Sequence, residues 1–411
     1  MVDVREKGGG SHIHHRISSI KHRTMRRIGV RQALLLLLVV GLPLLFLPVI
    51  QDTVLSGLLI LEVMRPLQEG LLSRLTPEPI VERVTYPGRH RLMEADLYIP
   101  GNDRRTGGVI LVHGVNEVGK EDPRMIWIAR LFARSGFVVL VPDFLGFKSL
   151  KLRAEDSGEM VDSFLYLAQR QDRVDPSKIG LVGFSYGAGP TLIAASDPLI
   201  RDKIRFVVSF GGYYDLVNII RFITTGFYEW KGEQFSMRPS DYDRWIFLRY
   251  NLDLLSDPRD KVLLAEIAEA EARGEQAKAE HLAKQLTLEG RAIYNLLVNR
   301  DPNRVEALIR KLPQNIQHQI EGLSPSRFIH QVRAYVFIVH GKPDPFIPHT
   351  ESLRLADALK ENGRYHLGIL RALEHVRPSF PPATLSNLLK IYLPEGFKLY
   401  RLAYDLLSQR R

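Results

Sequence analysis

One pentapeptide in this chain joins a hydroxyl nucleophile to the small neighbours that a sharp turn demands: Gly183-Phe184-Ser185-Tyr186-Gly187. Residues 178–184 before it form an apolar run of strand type, and residues 186–195 after it read as a helix. A serine on a strained strand-to-helix turn is lifted clear of the sheet. The N–H groups opening the helix then face charge that develops on a substrate oxygen. That context points to acyl transfer through a covalent intermediate, with Ser185 as the attacking group.

Such a serine needs a base, and the base needs a group to hold its tautomer. Candidates sit where apolar runs end. Val112-His113-Gly114-Val115-Asn116 closes the run 108–112, and Asp143 follows the run 137–141. Asp215 comes shortly after the run 205–210, and Asp344 shortly after 334–339. Beyond Asp344 lie His349, His366 and His375. His349 is close to Asp344 and starts a predicted helix, and His366 opens a predicted strand, so neither is placed as a base. His375 follows the predicted strand 365–370. Arg377, Lys342 and Lys148 are cations able to meet an acidic substrate group, and each also reads as a solvated surface charge.

Here the chain resembles the α/β-hydrolase family, over about residues 80–212 and 323–400. The segment Val339-His340-Gly341-Lys342-Pro343-Asp344-Pro345-Phe346-Ile347-Pro348 looks like the one with which dienelactone-hydrolase-like and prolyl-oligopeptidase-like hydrolases present an acid. The resemblance implies Ser185, Asp344 and His375 as catalytic residues, in that chain order. It implies the backbone amides of Val115 and Tyr186 as the oxyanion hole, and His113 and Asp143 as structural. Asp215 is the lesser candidate for the acid. Dienelactone hydrolases proper carry cysteine at the nucleophile position, so lactone chemistry is not carried over. No metal or organic cofactor is implied.

The elements that must position these residues are legible as a pattern. From residue 79, short apolar β-branched runs alternate with helical segments. This predicts an α/β fold: a mostly parallel sheet with helices on both faces and active-site residues at the carboxyl ends of the strands. Residues 81–86 and 92–99 read as an antiparallel entry pair. The alternation divides into 79–212 and 326–411. Residues 213–325 between them read as a helical cap insertion, with one long helix over 262–288 and a second over 301–312. Asp301 caps the second helix and Pro302 is its first residue.

Composition narrows the rest. The 411 residues include no cysteine, which excludes disulfides, a thiolate zinc site and a cysteine nucleophile. The net charge of +10 is uneven. Residues 1–32 hold eight Lys or Arg against Asp3 and Glu6, so the basic balance describes an arm and points to no nucleic-acid partner. His12, His14 and His15 lie in that arm without a carboxylate partner, and a metal site is not assigned to them. Residues 33–50 are uncharged and apolar, long enough for a transmembrane anchor, with an extension to 64 left open. A basic arm kept in the cytoplasm would place the catalytic domain on the outer, periplasmic or extracellular, side.

The expected reaction is hydrolysis of a carboxylic ester in a small, apolar acyl substrate. Peptide and thioester hydrolysis are open on the same fold, as is a catalytically silent, membrane-tethered binding protein.

Overall fold

The apolar runs assemble into one eight-stranded sheet. The structure, a computed structural model, describes residues 42–411 apart from 102–104, 152, 240, 380 and 383. The strands are β1 (Ile80–Pro87), β2 (Leu92–Ile99), β3 (Thr106–Val112), β4 (Val138–Pro142), β5 (Val174–Phe184), β6 (Ile204–Phe210), β9 (Tyr335–Gly341) and β10 (Tyr365–Leu370). A separate hairpin, β7 (Phe227–Trp230) and β8 (Glu233–Ser236), lies between β6 and β9 in the chain. The sheet order is β1-β2-β4-β3-β5-β6-β9-β10. The pairs β1–β2 and β2–β4 are antiparallel, and every other neighbour pair is parallel.

Alternation along the central strands divides their side chains between two cores. Ile110 and Val112 of β3 join one cluster, with Phe164 and Leu192 from the helices Asp156–Gln169 and Ala188–Ala194. Val109 and Leu111 join the other, with Ala129 and Leu406 from the helices Pro123–Arg134 and Leu393–Ser408. Both faces are thus covered, as a parallel sheet requires. The strands end together: Val112 is opposite Gly183, Phe184 opposite Phe210, Phe210 opposite Val339, and Gly341 opposite Leu370. Their continuations emerge along one rim.

The segment between β6 and β9 is mostly helical and shares the first core cluster with the sheet. Two of its features depart from the pattern reading. The β7–β8 hairpin was not anticipated. The expected single helix over 262–288 is broken into Pro258–Ala272 and Gln276–Ala283, because Gly274 adopts φ +76° and ends the first piece. Asp301 does cap its helix, accepting from the Asn303 amide at 3.0 Å.

The N-terminal reading is corrected in part. Residues 33–41 of the expected anchor, and His12, His14 and His15, lie outside the described residues. Leu42–Val63 is a helix, but among the described residues no helix is long and apolar enough to cross a membrane. Its second part makes buried polar and apolar contacts with the folded unit. Asp52 is buried and ion-paired to Arg410 (2.6 Å) and Arg411 (2.5 Å). Glu62 is buried and accepts from the amides of Gly70 and Leu72. Leu55 and Leu59 pack on the second core cluster. These polar residues point inward, so residues 52–63 belong to the folded unit 52–411.

Candidate active site

Ser185 directly follows β5 and has φ +54°, a conformation that non-glycine residues hold only where the surroundings enforce it. The enforcement is visible at the flanking glycines. A Cβ on Gly183 would sit 2.5 Å from Thr191 Oγ1 and 2.6 Å from Ala188 Cα, and one on Gly187 would sit 2.4 Å from the His113 carbonyl oxygen. The turn is pressed between its own helix and the segment after β3. Only residues without a side chain fit at both positions.

His375 Nε2 lies 2.8 Å from Ser185 Oγ, and His375 Nδ1 lies 2.6 Å from Asp344 Oδ2. The structure therefore brings together three side chains that stand 159 and 31 positions apart in the chain (344 less 185, 375 less 344). Asp344 is fully buried and His375 is 15% exposed. The loop after β9 wraps the acid, because Asp344 Oδ1 accepts from the amides of Phe346 (2.9 Å) and Ile347 (3.0 Å). Burial alone would raise the pKa of Asp344. Hydrogen bonds from His340 and His375 outweigh it and hold the carboxyl well below the usual carboxylate range.

His375 starts farther away than its final position suggests. It belongs to the loop after β10, three strands from β5, and neighbouring strands are about 4.8 Å apart. The chain comes back over the sheet rim as a two-residue turn, with Leu373–Glu374 paired to Arg377–Pro378 and His375 at φ +52°. It crosses the ends of β9 and β6 at glycines. A Cβ on Gly341 would lie 2.2 Å from the Leu373 carbonyl oxygen. One on Gly211 would lie 3.3 Å from Val376 Cγ1 and 3.6 Å from His375 Nδ1. The bulky Val376 and Arg377 are accommodated because they form the second half of this hairpin.

The other sequence candidates take different places. His113 is buried, with Nδ1 2.8 Å from the Gly114 carbonyl and Nε2 accepting from the Phe144 amide at 3.3 Å. Its burial lowers its pKa, so it is a neutral, structural ring. Asp143 pairs with Lys148 at 2.8 Å. Asp215 caps the helix Leu216–Thr225 through the Val217 amide and accepts from Ser326 Oγ. His349 is half-buried, and its pKa is lowered to about 4, mainly by burial. His366 pairs with Asp405 at 3.0 Å on the far strand. Lys342 is exposed, and Arg377 is exposed beside His375. Val115 and Tyr186 border the same cavity as Ser185 and His375. Gly114 stands at their junction, since a Cβ there would lie 3.4 Å from Ser185 Cβ.

Sequence reasoning missed His340. It is buried at the end of β9, and its Nε2 lies 3.2 Å from Asp344 Oδ2 and 2.9 Å from the Ile347 carbonyl. A carbonyl only accepts, so Nε2 carries a proton. Nδ1 meets Ser352 Oγ at 2.7 Å. The available signal was a titratable residue closing a buried strand four positions before an acid. Among the described residues, no cluster of three or more His, Cys, Asp or Glu side chains is arranged to hold a metal.

Residues 108–369 match the family model described as alpha/beta hydrolase fold. Comparison with curated protein sequences gives no match. Among solved structures, the chain is similar to an acylaminoacyl peptidase of Pyrococcus horikoshii at 14% identity and TM-score 0.47, covering 82% of this chain and 42% of that one. It is also similar to an esterase of Pyrobaculum calidifontis at 18% identity and TM-score 0.44, covering 87% and 91%. A puromycin-hydrolyzing peptidase of Mycobacterium tuberculosis aligns at 16% identity and TM-score 0.46, covering 82% and 39%. The chain thus spans 42% of the length of the Pyrococcus peptidase.

Proposed function

Because this chain belongs to the α/β-hydrolase fold family, we propose that it is a serine hydrolase that cleaves a carboxylic ester through an acyl-enzyme on Ser185. The observation that supports this reading is the unbroken relay Ser185 Oγ–His375–Asp344, with both contacts at hydrogen-bond distance. His375 takes the Ser185 proton as Oγ attacks the acyl carbon. Asp344 fixes the ring with Nδ1 protonated and stabilises the imidazolium that forms. The amides of Val115 and Tyr186 receive the oxyanion. The C–O bond to the alcohol breaks as His375 returns the proton to the leaving oxygen. Water, deprotonated by the same ring, then releases the acid and regenerates Ser185.

The test is labelling with a fluorophosphonate probe together with turnover of a small aryl ester. Native protein labels at Ser185. Ser185→Ala does not label, and its kcat falls by about ten-thousand-fold or more. Labelling or turnover that survives in Ser185→Ala would sink the assignment. A silent binding protein would show neither activity in the native chain. Membrane attachment through residues 33–50, with the catalytic unit outside, is proposed on the apolar run and the basic arm alone. Protease accessibility of residues 52–411 in intact cells tests it.

A further inference from the structure

We infer that the substrate's acyl group is a long hydrocarbon chain, and that the segment between β6 and β9 is built to enclose it. This deepens the serine-hydrolase reading and rests on it.

A cavity of about 670 Å³ runs from Ser185 and His375 in among the helices of that segment. Its wall is made by helix faces. On Leu216–Thr225, Ile219, Ile220 and Ile223 line it at spacings of one helical face. Ile316 and Ile320 do the same on Gln314–Gly322, and Ile293 and Leu296 on Leu288–Leu297. Apolar stripes of this kind ordinarily pack on one another at crystal-like density, leaving few voids larger than a water. Here three of them face shared space instead. That space is several times the roughly 150 Å³ of an apolar cavity known to take benzene. At about 30 Å³ per methylene, the liquid-volume share of a similarly sized water, it has room for a chain well beyond about ten carbons.

The polar side chains of the wall are turned to other tasks. Asn251 Oδ1 accepts from Arg153 at 2.7 Å, Gln319 Oε1 accepts from the Ala154 amide at 2.8 Å, and Thr224 Oγ1 donates to the Ile220 carbonyl at 2.8 Å. The wall's charged residues are exposed and lie off the three striped helices: Arg124 in the first turn of the helix Pro123–Arg134, and Glu374 and Arg377 on the hairpin after β10. The cavity is therefore polar at the catalytic end and apolar along the enclosing helices. Of the two halves of an ester, the alcohol must leave toward water, whereas the acyl group stays bonded to Ser185 until hydrolysis. The apolar space between the helices suits the half that stays.

The experiment measures kcat/KM of the full chain for p-nitrophenyl esters from acetyl to hexadecanoyl, below their aggregation concentrations. The expected rise is about three- to fourfold per methylene, the factor for moving a methylene from water into an apolar site, with an optimum at about ten carbons or more. Ile293→Trp and, separately, Ile220→Phe should move the optimum to shorter chains and lower the dodecanoyl-to-butanoyl ratio at least about tenfold. Fluorophosphonate labelling identifies the folded variants. An optimum at acetyl or butanoyl, a ratio unchanged in labelled variants, or a preference for decyl acetate over methyl decanoate would overturn the inference while leaving the serine hydrolase intact. No labelling and no turnover of any ester by the native chain would remove both.

Discussion

His340 Nε2, whose N–H donates to the Ile347 carbonyl at 2.9 Å, also stands 3.2 Å from Asp344 Oδ2, the same oxygen that faces His375. Two imidazoles thus share one carboxylate oxygen, one buried and one at the cavity. The buried ring holds Asp344 from the strand side, while the Phe346 and Ile347 amides hold its other oxygen. His340 acts as a positioning residue. His340→Ala removes that donor and is expected to lower kcat about ten- to a hundredfold with little change in KM, the scale of a small misplacement in a catalytic relay. His340→Gln, which keeps an N–H donor, should recover part of the loss. Steady-state kinetics of the two variants decide this: equal, native-like kcat values would leave His340 with packing alone.

Gly341 decides whether the His375 hairpin can close on Ser185. In Gly341→Ala the added methyl would meet the Leu373 carbonyl oxygen at 2.2 Å, a backbone atom that cannot swing aside. The hairpin must shift outward. The expected result is a loss of about a hundredfold in kcat and an overpacking cost of about 1–3 kcal/mol. A variant with native kcat and native melting temperature would show that the loop crosses elsewhere.

Glu351 should make stability depend on pH. It is buried, with Oε2 accepting from the amides of Tyr214 and Asp215 and Oε1 from Asn218. Burial, opposed by those hydrogen bonds, pushes its pKa from 4.5 up to about 7. Between these values the native state binds more protons than the unfolded state. The contribution of Glu351 to stability is therefore full below pH 4.5, is lost as pH rises through 7, and is absent above. Glu351→Gln should flatten the melting-temperature profile over that window. Asp156, also raised to about 7 by burial, adds slope of the same sign, whereas His349, lowered to about 4, adds slope of the opposite sign between pH 4 and 6.5. An identical slope in native and variant protein would contradict the assignment.

Asp52 ties the start of the folded unit to its last two residues. It is 3% exposed, and its partner Arg410 is 9% exposed. Removing one partner of a buried ion pair leaves the other charge uncompensated. Asp52→Ala should therefore cost about 3 kcal/mol of unfolding free energy in denaturant titration. A cost below about 0.5 kcal/mol would mean that this end of the helix is dispensable.

The fold was legible because its signals are local. Each buried strand announces itself as a short apolar run, and each change from period 2 to helical period marks a crossover. Ser185 was legible for the same reason, since strand, turn and helix meet within five residues. The break at Gly274 and the β7–β8 hairpin were not. Composition over 262–288 favours helix throughout, and a single glycine ends the first piece by its conformation. His340 went unread because its role depends on which way the end of β9 faces the loop that follows it. The enclosing helices were anticipated, but not that three of their apolar faces turn toward a common cavity.

Residue types and spacing alone determined the strand-to-helix turn that carries Ser185, the alternating α/β pattern and the lack of any cysteine, because each is settled within a few positions of chain. Tertiary structure is what brings His375, the histidine the family resemblance implies, to within hydrogen-bond distance of Ser185. The strand order puts β6 and β9 between the serine and the loop carrying His375, and the glycines at 211 and 341 let that loop cross them. A contact between residues 190 positions apart depends on register and on clearance over intervening strands. No local pattern records either.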